Sequence, residues 1–210
     1  VEMERHGVPD IDAVLTTREL ARLIRLYHLD LQALAPEGAD TPFGERTTAG
    51  KLFGATGGVM EAALRSAHYL ITGRELENLK IQPMRGLAGV KEAKVKIDSL
   101  EVGVAVVSGL NNARAILEQI KAGRKDLHFI EVMTCPGGCI AGGGQPLFSD
   151  VEAVKARMQA LYNIDRDEPL RVSHKNEAVN RLYAEFLGKP LGEKSHHLLH
   201  THYAAREVVR

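Results

Sequence analysis

Two apolar runs separated by one helical segment constrain the fold of this chain most strongly. The first run, VGVAVVS at 102–108, has the β-branched composition of a strand that is buried on both faces. Apolar residues at helical spacing follow it, and LHFIEVMT at 127–134 then has the pattern of a second buried strand. Strand, helix and strand in this order predict a right-handed parallel crossover.

The patterns on either side of this unit predict an α/β fold. Strand-like stretches occur at 81–86 and 90–97, and a helix is expected at 58–72, where apolar residues share one face and Gly73 follows as a C-cap. Further helical patterns continue to the end of the chain. The predicted fold class is therefore α/β, with a mostly parallel sheet flanked by helices and a helical C-terminal region.

The charge and hydropathy of the chain argue against several classes of partner. The 27 basic residues balance 27 acidic residues, so no net field attracts nucleic acid or an anionic membrane. No apolar run approaches the roughly 20 residues that a membrane span needs, and the first residues lack the apolar core of a signal peptide. We therefore expect a cytoplasmic protein that contacts neither nucleic acid nor membrane.

The segment EVMTCPGGCIAGGGQP, at 131–146, carries the clearest chemical signal. It follows a predicted strand, and ligands of open α/β sheets bind at the carboxyl ends of strands. Cys135 and Cys139 can reach one metal ion or cluster if the chain turns sharply between them, and Gly137 and Gly138 permit such a turn. The spacing predicts a thiolate site for an iron–sulfur cluster, zinc or copper(I).

Other interpretations of these residues stay open. The two cysteines could be buried and inert, and a glycine-rich turn after a strand could bind phosphate, although the Lys and Ser/Thr of the nucleotide-binding loop are missing. A structural zinc ion would need two further ligands, which histidines would have to supply. The segment SHHLLHTHY contains His196, His197, His200 and His202, and an amphipathic surface helix explains their spacing as well as a shared metal does.

Four segments in collinear order resemble the [FeFe]-hydrogenases. EVMTCPGGCIAGGGQP is similar to their last cluster-binding motif, and FGATGGVMEAALRSA at 53–67 is similar to another signature segment. DIDAVLTTREL near the start matches as well, and so does one C-terminal segment, SHKNEAVNRLYAEFLGKPL followed by SHHLLHTHY. The chain thus resembles the C-terminal half of the H-cluster domain in the catalytic subunit of these enzymes.

The resemblance implies a reaction and roles for individual residues. The reaction is the reversible reduction of two protons to H2 at the H-cluster, a [4Fe–4S] cubane joined by a cysteine sulfur to a di-iron unit that carries CO and cyanide. Cys135 matches a cubane ligand, and Cys139 matches the cysteine that also bridges to the di-iron unit. Met133 and Phe53 match apolar residues beside that unit. The glycines expected to contact the cofactor are Gly54, Gly137 and Gly138.

Two cysteine-containing segments of the family are missing from this sequence. In the family they supply two more cubane ligands, a proton-donating cysteine and a lysine near cyanide. We therefore expect the chain to be inactive alone, to need the N-terminal half of the same domain as its partner, and to form a homodimer through surface left uncovered. Ferredoxin or NAD(P)-linked hydrogenase subunits are the expected electron partners. The expected parts are a helix with a pocket loop, an α/β lobe and a helical region, at 1–58, 59–163 and 164–210.

Two alternatives to hydrogenase function remain at this stage. A hydrogenase-like iron–sulfur protein of the Narf type would handle clusters for assembly without hydrogen chemistry. A metal-free interaction domain would keep its fold and activity when both cysteines are replaced by serine. Only the hydrogenase has CO and cyanide ligands, so infrared spectroscopy separates the first alternative from it.

Overall fold

The computed structural model describes residues 4–5, 7–9, 11–38, 40–41 and 44–200. The chain divides into two compact units, one formed by residues 1–44 with 177–210 and the other by residues 45–176. The strands are β1 (Glu4–Arg5), β2 (Val8–Pro9), β3 (Val90–Ile97), β4 (Leu100–Ser108) and β5 (Phe129–Met133). The α-helices are α1 (Thr17–Leu26), α2 (Thr48–Lys51), α3 (Gly58–Thr72), α4 (Leu110–Lys121), α5 (Val151–Asp167), α6 (Glu177–Leu182) and α7 (Glu193–Leu199).

A mixed three-stranded sheet in the order β3-β4-β5 forms the centre of the second unit. β4 and β5 are parallel, with Ser108 opposite Met133, and α4 connects them. The α/β class and the parallel crossover are therefore confirmed. β3 and β4 are antiparallel, with Ile97 opposite Leu100. The sheet is mixed because the two residues between these strands form a hairpin turn, which is too short for a crossover.

Two of the strand predictions differ from the structure. The stretch at 81–86 forms a 3-10 turn at Gln82–Met84, in which Pro83 has no backbone N–H to donate to a ladder. The stretch at 127–134 does contain β5, but β5 lies at the edge of the described sheet, and Glu131 is its one fully buried residue. Because an edge strand has a neighbouring strand on one side only, apolar residues such as Val132 remain exposed.

Strand β4 is buried on both faces, as its composition predicts. Successive side chains of a strand point to opposite faces, so two clusters form around it. The cluster on the α3 face contains Met60, Leu64, Met84, Val104 and Val106. The cluster on the α4 face contains Ala105, Val107, Ala113 and Ile116. β4 is therefore held from both sides, and its carboxyl end gives a fixed position to the strand beside it.

Helix α3 has the bounds predicted for it, and glycines in the left-handed conformation flank it. Gly73 forms the C-cap with φ 68°, and Gly57 precedes the helix with φ 90°. A Cβ atom at Gly57 would lie 2.0 Å from the carbonyl oxygen of Met84, so glycine alone fits there. The loop before α3 consequently lies close against the 3-10 turn Gln82–Met84.

A buried ion network connects α3 to α5. Arg65 is fully buried, and its guanidinium donates to Glu61 at 2.6 Å and to both carboxylate oxygens of Asp165 at 2.7 Å. Arg85 donates to the same Glu61 carboxylate at 2.6 and 2.8 Å. Burial raises the pKa of Asp165, but hydrogen bonds from Arg65, Arg171 and a threonine outweigh it and lower the pKa to about 2. The network therefore keeps the Asp165 carboxylate ionised.

The first unit contains α1, a two-stranded hairpin and the C-terminal helices. Thr16 and Glu19 form a capping box at the start of α1. The rings of His196 on α7 and of His200, the C-cap of that helix, stack with their centroids 4.3 Å apart, and His202 lies outside the described residues. Within the residues that the structure describes, every helix is too short or too polar to cross a lipid bilayer.

Candidate metal centre

Cys135 and Cys139 lie directly beyond the carboxyl end of β5. Cys135 follows the last residue of the strand, Met133, by two positions and is half-buried. Cys139 begins a 3-10 turn at Cys139–Ala141 and is exposed. Both thiols are free, and one of them is open to a group that approaches from outside this unit. The two sulfur donors therefore lie at the strand end, where the sequence predicts a ligand site.

Ser108, at the end of the neighbouring strand β4, supports the turn between the cysteines. Its hydroxyl donates to the carbonyl of Cys135 at 3.3 Å and accepts from the backbone N–H of Gly137 at 3.1 Å. The N–H of Gly138 donates to the same Cys135 carbonyl at 3.0 Å. Ser108 was not among the predicted site residues, although its position at the end of a strand parallel to β5 was a usable signal.

The cysteine turn packs on the loop that contains Gly54, and the two meet through backbone atoms. Gly137 and Gly138 have φ of 88° and 91°. The N–H of Thr56 donates to the carbonyl of Gly137 at 3.1 Å. A Cβ atom at Gly138 would lie 2.8 Å from the carbonyl oxygen of Gly54 and 2.8 Å from the nitrogen of Thr56. The structure thus brings together the three glycines that the resemblance assigns to the cofactor pocket; their role there stays a prediction.

Alanine at position 138 should separate these two loops. The added methyl group meets backbone atoms that cannot rotate away, and the left-handed φ is strained for alanine, so we expect Gly138→Ala to lower the free energy of unfolding by about 2–3 kcal/mol. Gly143→Ala is the matched control, since a Cβ atom there meets nothing within 4 Å. Urea denaturation of both variants measures the difference, and equal losses would contradict the close contact at Gly138.

Phe53 lies in the loop that contacts the cysteine turn, and Met133 is the last residue of the strand that precedes that turn. Phe53 lies in the 3-10 turn Leu52–Gly54 and is 45% exposed, whereas Leu52 beside it is fully buried. Met133 is half-buried, and its carbonyl accepts from the N–H of Gly109 at 2.7 Å. An exposed phenyl ring next to the cysteine turn offers apolar surface to whatever binds there. The roles of Phe53 and Met133 beside a di-iron unit stay predictions.

The carboxylate of Glu131 lies behind the site and was not predicted from the sequence. Its side chain is 5% exposed, one oxygen accepts from the N–H of Gly57 at 2.6 Å, and the other accepts from the N–H of Met60 at 2.7 Å. Glu131 lies on β5, four positions before Cys135 in the sequence. One carboxylate therefore connects the cysteine strand to the start of α3.

Lys91 is a second buried charge in the same region. Its ammonium donates to the carbonyls of Met84 at 2.7 Å and Gly86 at 2.9 Å. Burial lowers the pKa of Lys91 to about 8, and the Glu131 carboxylate opposes this shift. The two buried charges, one of each sign, flank the loop that leads into α3.

The chemistry of the donors fits part of an iron–sulfur site. Across the described ranges, no three or more His, Cys, Asp or Glu side chains come together in a group that could hold a metal ion. The structural zinc interpretation, which required histidines beside the cysteines, therefore finds no support in those ranges. Two cysteines on a glycine-rich turn provide half of the four thiolates that a cubane cluster needs.

Comparison with known proteins decides the family. The family described as iron only hydrogenase large subunit, C-terminal domain, matches residues 1–143. The chain belongs to this family. A second family, iron hydrogenase small subunit, matches residues 151–206. The family predicted from the sequence is therefore confirmed, and the iron hydrogenase segments follow one another along a single chain.

Individual iron hydrogenases show the same relationship. The NADP-reducing hydrogenase subunit HndD of Solidesulfovibrio fructosivorans is 51% identical over 98% of this chain and 35% of that protein. Iron hydrogenase 1 of Clostridium pasteurianum is 44% identical over 96% of this chain and 36% of that protein. The chain thus spans about a third of the length of these relatives. A variant of [FeFe]-hydrogenase HydA1 from Chlamydomonas reinhardtii superposes with a TM-score of 0.75 at 36% identity, covering 97% of this chain and 58% of that one.

Cluster-assembly proteins are more distant relatives of this chain. The cytosolic iron-sulfur assembly component 3 of Rattus norvegicus is 30% identical over 98% of this chain and 44% of that protein. Its lower identity does not favour the Narf-type alternative over the hydrogenase interpretation.

Proposed function

We propose that this chain forms part of the catalytic subunit of an [FeFe]-hydrogenase, which catalyses the reversible reduction of two protons by two electrons to H2. The observation that carries the proposal is the pair of free thiols at the end of β5, held on a turn whose glycines pack against the loop of Phe53. Family membership supports this reaction, and iron hydrogenases are oxidoreductases.

Within the proposed site, each residue of the chain has a separate task. The thiolates of Cys135 and Cys139 would hold the H-cluster, and Cys139 would also bridge to its di-iron unit. When bound, this cofactor would relay electrons from the electron partner and would supply the metal at which protons are reduced. Gly137 and Gly138 allow the sharp turn between the two cysteines. Phe53 and Met133 would exclude water and stray ligands from the cluster.

The proposed site also needs residues from elsewhere in the subunit. The sequence contains two cysteines, whereas a cubane takes four thiolates, so the other ligands would come from the N-terminal half of the same domain. The chain alone would then be inactive. A relative named as an NADP-reducing hydrogenase subunit supports NAD(P)-linked subunits as electron partners and the cytoplasm as location, with ferredoxin as the other candidate partner. Dimerisation of the isolated chain stays a prediction.

The full-length subunit, produced with its cofactor, provides the test. H2 evolution with a reduced electron donor and infrared bands of bound CO and cyanide are the two expected results, and the 210-residue chain alone should show neither. An iron-containing full-length protein without these bands and without H2 evolution would instead support the cluster-assembly function. Measurable H2 evolution by the chain alone would contradict the proposed division of ligands.

A further inference from the structure

Two buried charges lie in one row across the sheet. Lys91 on β3 and Glu131 on β5 are both directly opposite Val106 on the central strand. Directly paired residues point to the same face of a sheet, so the two charged side chains flank Val106 on the face covered by α3. Lys91 is 8% exposed and Glu131 is 5% exposed. Charges this deeply buried are costly unless they are paired and fully hydrogen-bonded, so a specific arrangement must satisfy them.

The Glu131 carboxylate accepts hydrogen bonds from the backbone at the start of α3, a task that a capping side chain next to the helix usually performs. The first backbone N–H groups of a helix have no partner within the helix, and Gly57 has no side chain with which to cap them. The Glu131 carboxylate accepts from Gly57 and Met60, and its negative charge also suits the positive end of the helix dipole. The side chain that binds the start of α3 thus comes from β5, the strand that leads into the cysteine turn.

Lys91 holds the other side of the same segment. Its ammonium donates to the carbonyls of Met84 and Gly86, and it reaches the carbonyl of Thr56 at 3.4 Å. The stretch from Thr56 to Met60 therefore contacts a cation through a carbonyl and an anion through two amides.

The clamp formed by Lys91 and Glu131 continues into the cysteine turn. The N–H of Thr56 donates to the carbonyl of Gly137, and Gly138, which has no side chain, packs against the backbone of Gly54. A shift of α3 along its axis would move Thr56 and Gly54, and with them the Phe53 loop, relative to the cysteines. The spacing between the two loops therefore depends on the position at which the Glu131 carboxylate holds the start of α3.

We propose that Glu131 is a positioning residue for the hydrogenase site, which fixes the distance between the Phe53 loop and the Cys135–Cys139 turn, with Lys91 as its buried counter-charge. The inference rests on the proposed function, because it assigns the space between these loops to the H-cluster. Glu131 acts through the backbone of Gly57 and Met60 and touches no reacting atom.

Two substitutions at Glu131 test the effect of its negative charge separately from the effect of its side-chain length. Glu131→Gln replaces one accepting oxygen by an NH2 group that faces a backbone N–H, and it leaves the Lys91 charge without its counter-charge. Glu131→Asp keeps the negative charge, but its side chain is one methylene shorter and does not reach both amides. The aspartate variant preserves the test if the glutamine variant fails to fold. Glu92→Gln, adjacent to Lys91 on β3, is the matched control, since Glu92 is paired with Arg124 in an exposed contact.

The experiment uses the full-length subunit and two readouts besides turnover. Hydrogen exchange at Gly57 and Met60 should be faster by on the order of tenfold in both Glu131 variants and unchanged in Glu92→Gln. In the loaded protein, the infrared bands of CO and cyanide should shift or broaden in the Glu131 variants alone, with a roughly 10- to 100-fold loss of H2 evolution.

Wild-type exchange rates and infrared bands in both Glu131 variants would overturn the inference. Faster exchange with unaltered bands would overturn it too, since Glu131 would then stabilise α3 without positioning the site. If the wild-type subunit shows no CO or cyanide bands, the proposed function fails, and with it the assignment of the loop spacing to the H-cluster. The two failures are therefore distinguishable.

Discussion

Hydrogen turnover by the full-length subunit should be lost when Cys139 is replaced by serine. A hydroxyl is a hard, neutral donor that does not replace a thiolate on iron, and Cys139 is one of the two cysteines in this chain. Loss of an outer group near a metal costs roughly 10- to 100-fold in affinity or activity, so loss of a proposed ligand should cost more than about 100-fold. H2 evolution and iron content per subunit measure the effect.

A conservative exchange next to the cysteines provides the control for this prediction. Thr134 is exposed and directly precedes Cys135, so Thr134→Ser changes the same turn without removing a sulfur. It should retain turnover within about twofold of the wild type, as exposed substitutions away from special features usually have small effects. If Cys139→Ser also kept its activity and its CO bands, Cys139 would have no bridging role.

The second large effect concerns stability and the buried Arg65. Arg65→Met removes the cation shared by Glu61 and Asp165, both of which are about 1% exposed. Breaking a buried ion pair on one side leaves uncompensated charge and costs about 3–5 kcal/mol. We expect the free energy of unfolding of the chain to fall by this amount in a urea titration followed by circular dichroism.

An exposed arginine gives the comparison for Arg65. Arg166 pairs with Asp167, and both side chains are at least 60% exposed. Exposed ion pairs contribute about 0–1 kcal/mol, so Arg166→Met should change the midpoint little. Similar losses in the two variants would mean that the Arg65 network adds nothing beyond an ordinary surface pair.

Features encoded by neighbouring residues could be predicted from the sequence. Helix α3 has its predicted bounds because its apolar spacing lies between glycines that the backbone requires at both ends. The burial of β4 follows from a β-branched run, and the position of Cys135 follows from the strand before it. In each case the signal lies within about one helical turn or one strand of the residue concerned.

Features that depend on distant partners were missed. Glu131 bonds to residues more than 70 positions earlier, and Arg65 bonds to Asp165 across 100 positions. Hydrophobic periodicity assigns charged residues such as these to the surface, because charged side chains are rarely buried without a partner and the pattern does not reveal a partner so far away in the sequence. Strand order is equally non-local, which is why LHFIEVMT was wrongly expected to be buried like VGVAVVS.

The contact at Gly138 has a consequence for how proteins of this kind diversify. Main-chain atoms of Gly54, Thr56 and Gly137 form the junction between the two loops, and main-chain atoms are the same in every sequence. Mutational drift can therefore replace the surrounding side chains while the junction keeps its dimensions. Substitutions intended to alter such a site have the most freedom at side chains that project from the junction, such as Phe53, and the least at the glycines that form it.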